Sequence, residues 1–145
     1  MFLLILPCKI FPIICIIQSL EDKKKMEFIT DYPIMIDGGC NFFTFTDVPL
    51  SDNKFILIIS SQKRCFIKRK GNFLLYKKNK RIIYQPNMYT DIFSNGKEKL
   101  ALKIINIINN NDGSSVQTGT LEVIDKDEHL IFKVHGIVNE LDRNN

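Results

Sequence analysis

From Pro33 onward the chain alternates short apolar runs with clusters of turn-forming residues, about every ten positions, the spacing of an all-β sandwich or barrel. Strands are predicted at 33–37, 42–47, 54–60, 64–69, 73–77, 81–85, 89–93, 99–108, 116–125 and 130–138, and no long segment competes with a helical period. Asp37-Gly38-Gly39, Ser51-Asp52-Asn53, Lys70-Gly71-Asn72, Ser94-Asn95-Gly96 and Asp112-Gly113 supply residues that tolerate positive φ or cap a turn with a side chain. Pro49 and Pro86 fall between runs, where no ladder hydrogen bond is lost. Asp37-Gly38-Gly39-Cys40 lacks the following helix that a phosphate-cradling loop needs, so it is read as a tight turn.

The three long C-terminal runs carry the clearest alternation. Leu100, Leu102, Ile104 and Ile108 share one face, with Ile105 and Ile107 opposite; Leu121 and Val123 share a face of the next run, and Leu130, Phe132 and Val134 one of the third. Apolar residues on both faces of 99–108 predict a central strand, and Phe73 with Leu75 is expected in the core. The fold read from this pattern is all-β: a single antiparallel β-sandwich or partly closed barrel of about 8–10 short strands. It spans 32–140, after a charged linker at 21–31 and before a polar tail at 141–145.

Residues 1–20 form an apolar leader, with Phe2 to Ile17 interrupted only by Lys9, Pro7 and Pro12 among non-apolar or helix-breaking residues. A helix of that run would reach about 24 Å, short of the roughly 30 Å hydrocarbon core, and the prolines would break it. It reads as an export signal cut after Ser19, or an anchor, giving a periplasmic or envelope-attached protein. The lysines follow the apolar run instead of preceding it, and Cys8 and Cys15 follow Pro7 and Ile14 where a lipidated cysteine wants a small neighbour. Translation from Met26, giving a cytoplasmic protein, stands as the alternative.

Composition narrows the class. A chain of 145 residues suits one domain with its own core, and 45% apolar with 25% charged residues excludes disordered and collagen-like chains. Eleven Phe, four Tyr and no Trp lean toward strands. The net charge of +4, or +3 without the leader and its Lys9, is solubility charge and falls short of a strongly basic nucleic-acid-binding domain. Outside the leader the cysteines are Cys40 and Cys65. In an exported chain they are a candidate disulfide whose loop of about 26 residues is worth on the order of 3.5 kcal/mol; in the cytosol they are two reduced thiols behaving as small hydrophobes. No cysteine or histidine spacing suggests zinc.

Residues 63–81 hold nine basic side chains and no acid. A strand over 64–69, a turn at 70–72, a strand over 73–77 and a turn at 78–80 would divide them between two ends about 20 Å apart. Lys68, Arg69 and Lys70 fall at one end; Lys63, Arg64, Lys77, Lys78, Lys80 and Arg81 gather at the other. The six are either a solvated edge kept unpaired by charge or a candidate site for an anionic surface, polysaccharide, lipid headgroup or single strand of nucleic acid.

Nothing else carries chemistry. His129 and His135 are too far apart along one strand to share a metal, and no Ser, Cys or Asp has a partner placed to make it a nucleophile. Asp125-Lys126-Asp127-Glu128 and Asn109–Asp112 do not match a calcium loop, and Asp31, Asp37, Asp47 and Asp91 lack paired spacing. No enzyme and no cofactor are expected.

Asp37-Gly38-Gly39-Cys40 after a short leader, Tyr89-Thr90-Asp91-Ile92-Phe93-Ser94-Asn95-Gly96-Lys97, and Gly119-Thr120-Leu121-Glu122-Val123 through Lys133-Val134-His135-Gly136 together resemble small exported, lipoprotein-like, β-rich bacterial proteins of unknown function. The resemblance covers about two thirds of the chain and implies export and a β domain, without an activity. Its cysteine near the last strand has no counterpart in Ile137-Val138-Asn139-Glu140, so no terminal disulfide carries over. The expected role is a binding or structural module of the cell envelope, monomeric or weakly oligomeric, whose partner is an anionic envelope component or another protein. The alternatives are a cytosolic or surface module binding anions or nucleic acid through 63–81, and a carrier of a small apolar ligand inside a closed barrel lined by Ile and Phe.

Overall fold

Alternation along the chain closes on itself. In the computed structural model, which describes residues 22–30 and 40–139, each strand pairs antiparallel with the next and the last returns to the first. The strands are β1 (Asn41–Phe45), β2 (Leu57–Ile59), β3 (Arg64–Arg69), β4 (Asn72–Gln85), β5 (Met88–Ser94), β6 (Lys99–Asn109), β7 (Ser115–Ile124) and β8 (His129–Val138), and a short 3₁₀ helix (Leu50–Asp52) follows β1. The β1–β8 ladder, with Phe43 opposite Gly136 and Phe45 opposite Val134, makes this a fully closed up-and-down barrel. Closure gives every strand a neighbour on both sides, although β4 beyond Lys78 pairs with β5 alone.

Period two sends Leu100, Leu102 and Ile104 inward with Leu121, Val123, Leu130, Phe132 and Val134, where they meet Phe43, Ile67 and Phe93 in one continuous core. Outward positions of β4, β6 and β8 carry Lys77, Lys80, Lys99, Lys103 and Lys133, the reverse of a lipid-facing barrel wall. Among the described residues no helix is long and apolar enough to cross a membrane.

The two ends differ. One gathers the turns at 70–71, 95–98 and 125–128 and is plugged by residues 22–30, which begin with one helical turn. Met26 is buried in the core, Glu27 N donates to Lys68 O at 2.9 Å, and Ile29 N donates to Phe55 O at 2.7 Å. Lys23 binds Asp47 at 2.9 Å, Lys25 binds Glu128 at 3.1 Å, and Phe28 meets Phe45 edge-on at 6.0 Å. Part of the expected linker at 21–31 is therefore structural. Ile29 also joins Cys40, Phe55, Ile58 and Phe66 in a second apolar cluster on the outer face of β1–β3. The other end, with turns at 60–63, 86–87 and 110–114, is not plugged by the described residues.

Several expectations are corrected. The strands expected at 73–77 and 81–85 are one strand, β4, of 14 residues, and Lys78-Asn79-Lys80 is a register shift instead of a turn. Asn79 bulges out, its Nδ2 donating to Ser94 Oγ at 2.7 Å, which lets the strand bend around the barrel without stopping. A second shift between Ile104 and Asn106 reverses the alternation of β6, so Ile107 turns inward and Ile108 outward, while Ile105 keeps the outward position its spacing predicts. β6 is thus an ordinary wall strand covered on one side. Phe73 and Leu75 are exposed, and Leu74 and Tyr76 are the inward pair. Cys40 and Cys65 are both buried, on opposite sides of the barrel wall: Cys65 belongs to the interior core and Cys40 to the outer cluster, so the candidate disulfide between them does not form. The strand expected at 33–37, Asp37-Gly38-Gly39, the leader and the tail at 141–145 lie outside the described residues.

Candidate functional site

The continuity of β4 redistributes the six basic residues expected to gather. Arg64 is the register partner of Lys77 on the outer face, Lys80 faces outward opposite Ile92, and Lys63 sits on the β2–β3 turn with φ of 62°. Lys78 and Arg81 instead turn into the barrel, where both reach Asp91. The wall puts Arg64, Lys77 and Lys80 outside and Lys78 and Arg81 inside, while Lys63, on its turn at the rim, borders the same void as Lys78 and Arg81. Lys68, Arg69 and Lys70 lie at the plugged end, separate from them as expected; there Arg69 is buried, 2.8 Å from Glu128, 3.9 Å from Glu98 and 4.0 Å from Asp125.

Asp91 is the focus of the interior polar group. The β4–β5 ladder sets it opposite Arg81, and same-face spacing from Tyr89 and Phe93 points it inward, where it is 3% exposed. Arg81 Nε donates to Oδ1 at 2.7 Å and Nη2 to Oδ2 at 2.9 Å, a bidentate pair, while Lys78 Nζ stands 3.4 Å from Oδ1. The guanidinium also lies 4.0 Å from the Tyr89 ring centre. The Tyr89 hydroxyl donates to Gln117 Oε1, and Gln117 Nε2 donates to Ser115 Oγ at 3.0 Å. These side chains form a polar layer spanning the barrel, with apolar core on the plugged side. A void of about 10 Å³ bounded by Asn41, Lys78, Tyr89 and Asp91 has room for about one water.

On the other side of this layer the barrel opens into a cleft of about 320 Å³. Arg81, Tyr89 and Gln117 form its floor; Ile83, Ile107 and Val138 wall it. That size is at the lower end of small-molecule sites, and the mix of apolar wall and few convergent polar groups is typical of them. The residues that sequence reasoning missed are Asp91, Tyr89 and Gln117. The available signal was Asp91 between Tyr89 and Phe93 on one face, together with a two-residue hairpin at Pro86-Asn87 that pairs Arg81 with it.

The rest of the titratable groups are accounted for structurally. At the plugged end a cleft of about 250 Å³ lies among Arg69, Lys70, Glu98, Asp125, Asp127 and Glu128, whose opposite charges face one another. Asp125 Oδ1 accepts from the N–H groups of Asp127 and Glu128 at 2.7 and 2.6 Å, which holds its carboxyl below the usual range and marks it as a turn cap. Among the described residues no group of three or more ligands could hold a metal ion. His129 binds Glu122 at 2.9 Å and His135 reaches Val48 O at 2.7 Å, so the two do not converge. Burial, and secondarily the charge of Asp91, pushes the Cys65 thiol well up, which disfavours the nucleophilic thiolate. Tyr76 is likewise pushed up, by burial and by Glu98, which accepts its hydroxyl hydrogen bond.

Comparison with family models, curated proteins and solved structures finds no match to this chain.

Proposed function

We propose that the protein is a binding module that takes a small amphipathic molecule at the open end of its barrel. The observation that carries this is the cleft of about 320 Å³ with Ile83, Ile107 and Val138 on its walls and Arg81, Tyr89 and Gln117 beneath. An apolar ligand body removes the aliphatic walls from water, while a polar head meets donors and acceptors already oriented by the Arg81–Asp91 and Tyr89–Gln117 hydrogen bonds. The ligand stays at the mouth. Among the described residues Phe and Ile side chains fill the barrel interior, with Phe43, Phe93 and Ile104 fully buried, which favours the mouth over the interior as the ligand's place.

Anilinonaphthalene sulfonate, a small amphipathic anion that fluoresces out of water, tests this. The full chain is expected to show saturable one-site enhancement, abolished by Ile107→Trp, which fills the cleft, and by Ile83→Asp, at a position 70% exposed and therefore tolerant of change. Circular dichroism checks that both variants keep the wild-type fold. Undiminished binding in folded Ile83→Asp would place the dye elsewhere and end the reading.

A further inference from the structure

The open end carries a second feature, made of outward side chains and independent of the cleft. Ile82 and Tyr84 on β4, and Ile105 and Ile108 on β6, are exposed, Tyr84 at 55% and Ile108 at 57%. The β4–β5 and β5–β6 ladders bring them together: Ile82 is opposite Thr90, Thr90 is opposite Lys103, and Lys103 Nζ stands 6.0 Å from the Tyr84 ring centre. The bulge after Ile104 adds to this collar by turning Ile108 outward. Soluble surfaces carry single exposed aliphatics without consequence, whereas a cluster at one end of a barrel calls for something to cover it.

Charge says what. Lys80 lies two positions before Ile82 and Lys103 two before Ile105, about 7 Å back along the strands. The open half carries Lys63, Arg64, Lys77, Lys80 and Lys103 against one carboxylate in its turns among the described residues, Asp112, whereas at the plugged end Lys23, Lys25 and Arg69 are offset by Asp47, Glu98, Asp125 and Glu128, with which they pair. The molecule therefore has an axial charge asymmetry that turns its open end toward an anionic surface. Apolar side chains that enter a bilayer boundary sink about 5–10 Å, which brings ammonium groups 7 Å behind them to the level of lipid phosphates. Tyr84, with an apolar ring and a polar hydroxyl, is the residue type enriched at that depth.

We propose that the open end docks on an anionic lipid surface, with Tyr84, Ile105 and Ile108 in the headgroup boundary and Lys80 and Lys103 on the phosphates. The sequence has no Trp, so Tyr84→Trp supplies a single reporter at the collar and Phe73→Trp one on the outer face beside the plugged-end turn. Both are made in the full chain, so any contribution of residues 1–20 is common to them. With vesicles of phosphatidylcholine and phosphatidylserine the Tyr84→Trp emission is expected to move to the blue and to be quenched by brominated lipid. Added salt should reverse the effect, phosphatidylcholine alone should not produce it, and the Phe73→Trp emission should stay unchanged. Each lysine near an anionic surface contributes about fivefold to affinity, so Lys80→Glu with Lys103→Glu should weaken binding at least about tenfold. Absence of a shift at position 84, or an equal shift in Phe73→Trp, would overturn the proposal. So would a shift that needs no vesicles and grows with protein concentration, which would make a second copy of the chain the occupant. Dye binding in the cleft is unaffected by any of these outcomes.

Discussion

Arg81 and Asp91 face each other across the β4–β5 ladder on the inside of the barrel, joined by hydrogen bonds of 2.7 and 2.9 Å. A buried ion pair gains little over an apolar pair of the same shape, yet removing one partner leaves a charge in a medium that solvates it badly. Asp91→Leu, which deprives both Arg81 and Lys78 of this carboxylate, is expected to cost about 3 kcal/mol. Combining it with Arg81→Met should recover about half of that loss. Urea denaturation at unchanged m value measures both; an Asp91→Leu chain as stable as wild type would mean that the pair is solvated.

Close strand packing at Gly119 gives a second test. A Cβ there would stand 1.7 Å from the carbonyl oxygen of Lys103, just before the β6 bulge, and the obstacle is backbone, which cannot swing aside. Gly119→Ala should destabilise by about 3 kcal/mol, lowering Tm by about 10 °C. At Gly136 the Cβ would meet Phe42 O at 2.3 Å and the Phe43 ring at 2.5 Å, so Gly136→Ala is also expected to be destabilising. An unchanged Tm in Gly119→Ala would show that β6 and β7 separate more easily than their register implies.

Much of this barrel was legible because alternation survives wherever one face is buried. The bounds of β3 and β5–β8 fall within a residue or two of those expected, and Leu121, Val123, Leu130, Phe132 and Val134 point inward as their spacing requires. Phe73-Leu74-Leu75-Tyr76 shows where periodicity fails. With apolar side chains on both faces, period two cannot choose; the β3 register decides, setting Leu74 opposite Ile67 and Leu75 opposite Phe66. Bulges were hidden for a related reason, since Asn79 and Ile105 are compatible with a regular strand and only the curvature of a closed wall selects the extra residue. Met26 and Ile29 are too few to make a pattern, so the plug is indistinguishable from a linker by periodicity. The cleft depends on Arg81 meeting Asp91, a relation between strands that requires the hairpin to be placed first.

The separation of Cys40 from Cys65 by the wall has a chemical consequence. In a Cys8→Ser/Cys15→Ser chain, both buried thiols are expected to resist dithiobis-nitrobenzoate under native conditions and both to react in guanidinium, Cys65 being further protected by its raised pKa. Oxidation should leave no bond between them. An intramolecular Cys40–Cys65 disulfide in folded protein would require Cys65 to face outward, contradicting the β2–β3 register that pairs it with Ile59.

Acid should release the plug before the wall. Glu128 is held below the usual carboxylate range first by the hydrogen bond from Lys25 and further by Arg69, and Asp47 is held down first by the hydrogen bond from Lys23. A carboxyl whose folded pKa is depressed binds its proton more weakly in the folded than in the unfolded chain. Its contribution is complete above the ordinary carboxylate pKa, near about 4, and is lost as pH falls through the lower folded value. Lys23 and Lys25 belong to the segment that carries Met26, so losing both pairs weakens the plug, whereas β6 and β7 are held by ladder hydrogen bonds that do not titrate. Below about pH 4, protection factors of the Glu27 and Ile29 amides are expected to fall ahead of those of Leu102 and Leu121. Glu128→Gln should flatten part of that dependence by removing one titrating group. If all four amides lose protection together, plug and barrel open as one unit and the pairs at the plugged end do not govern it.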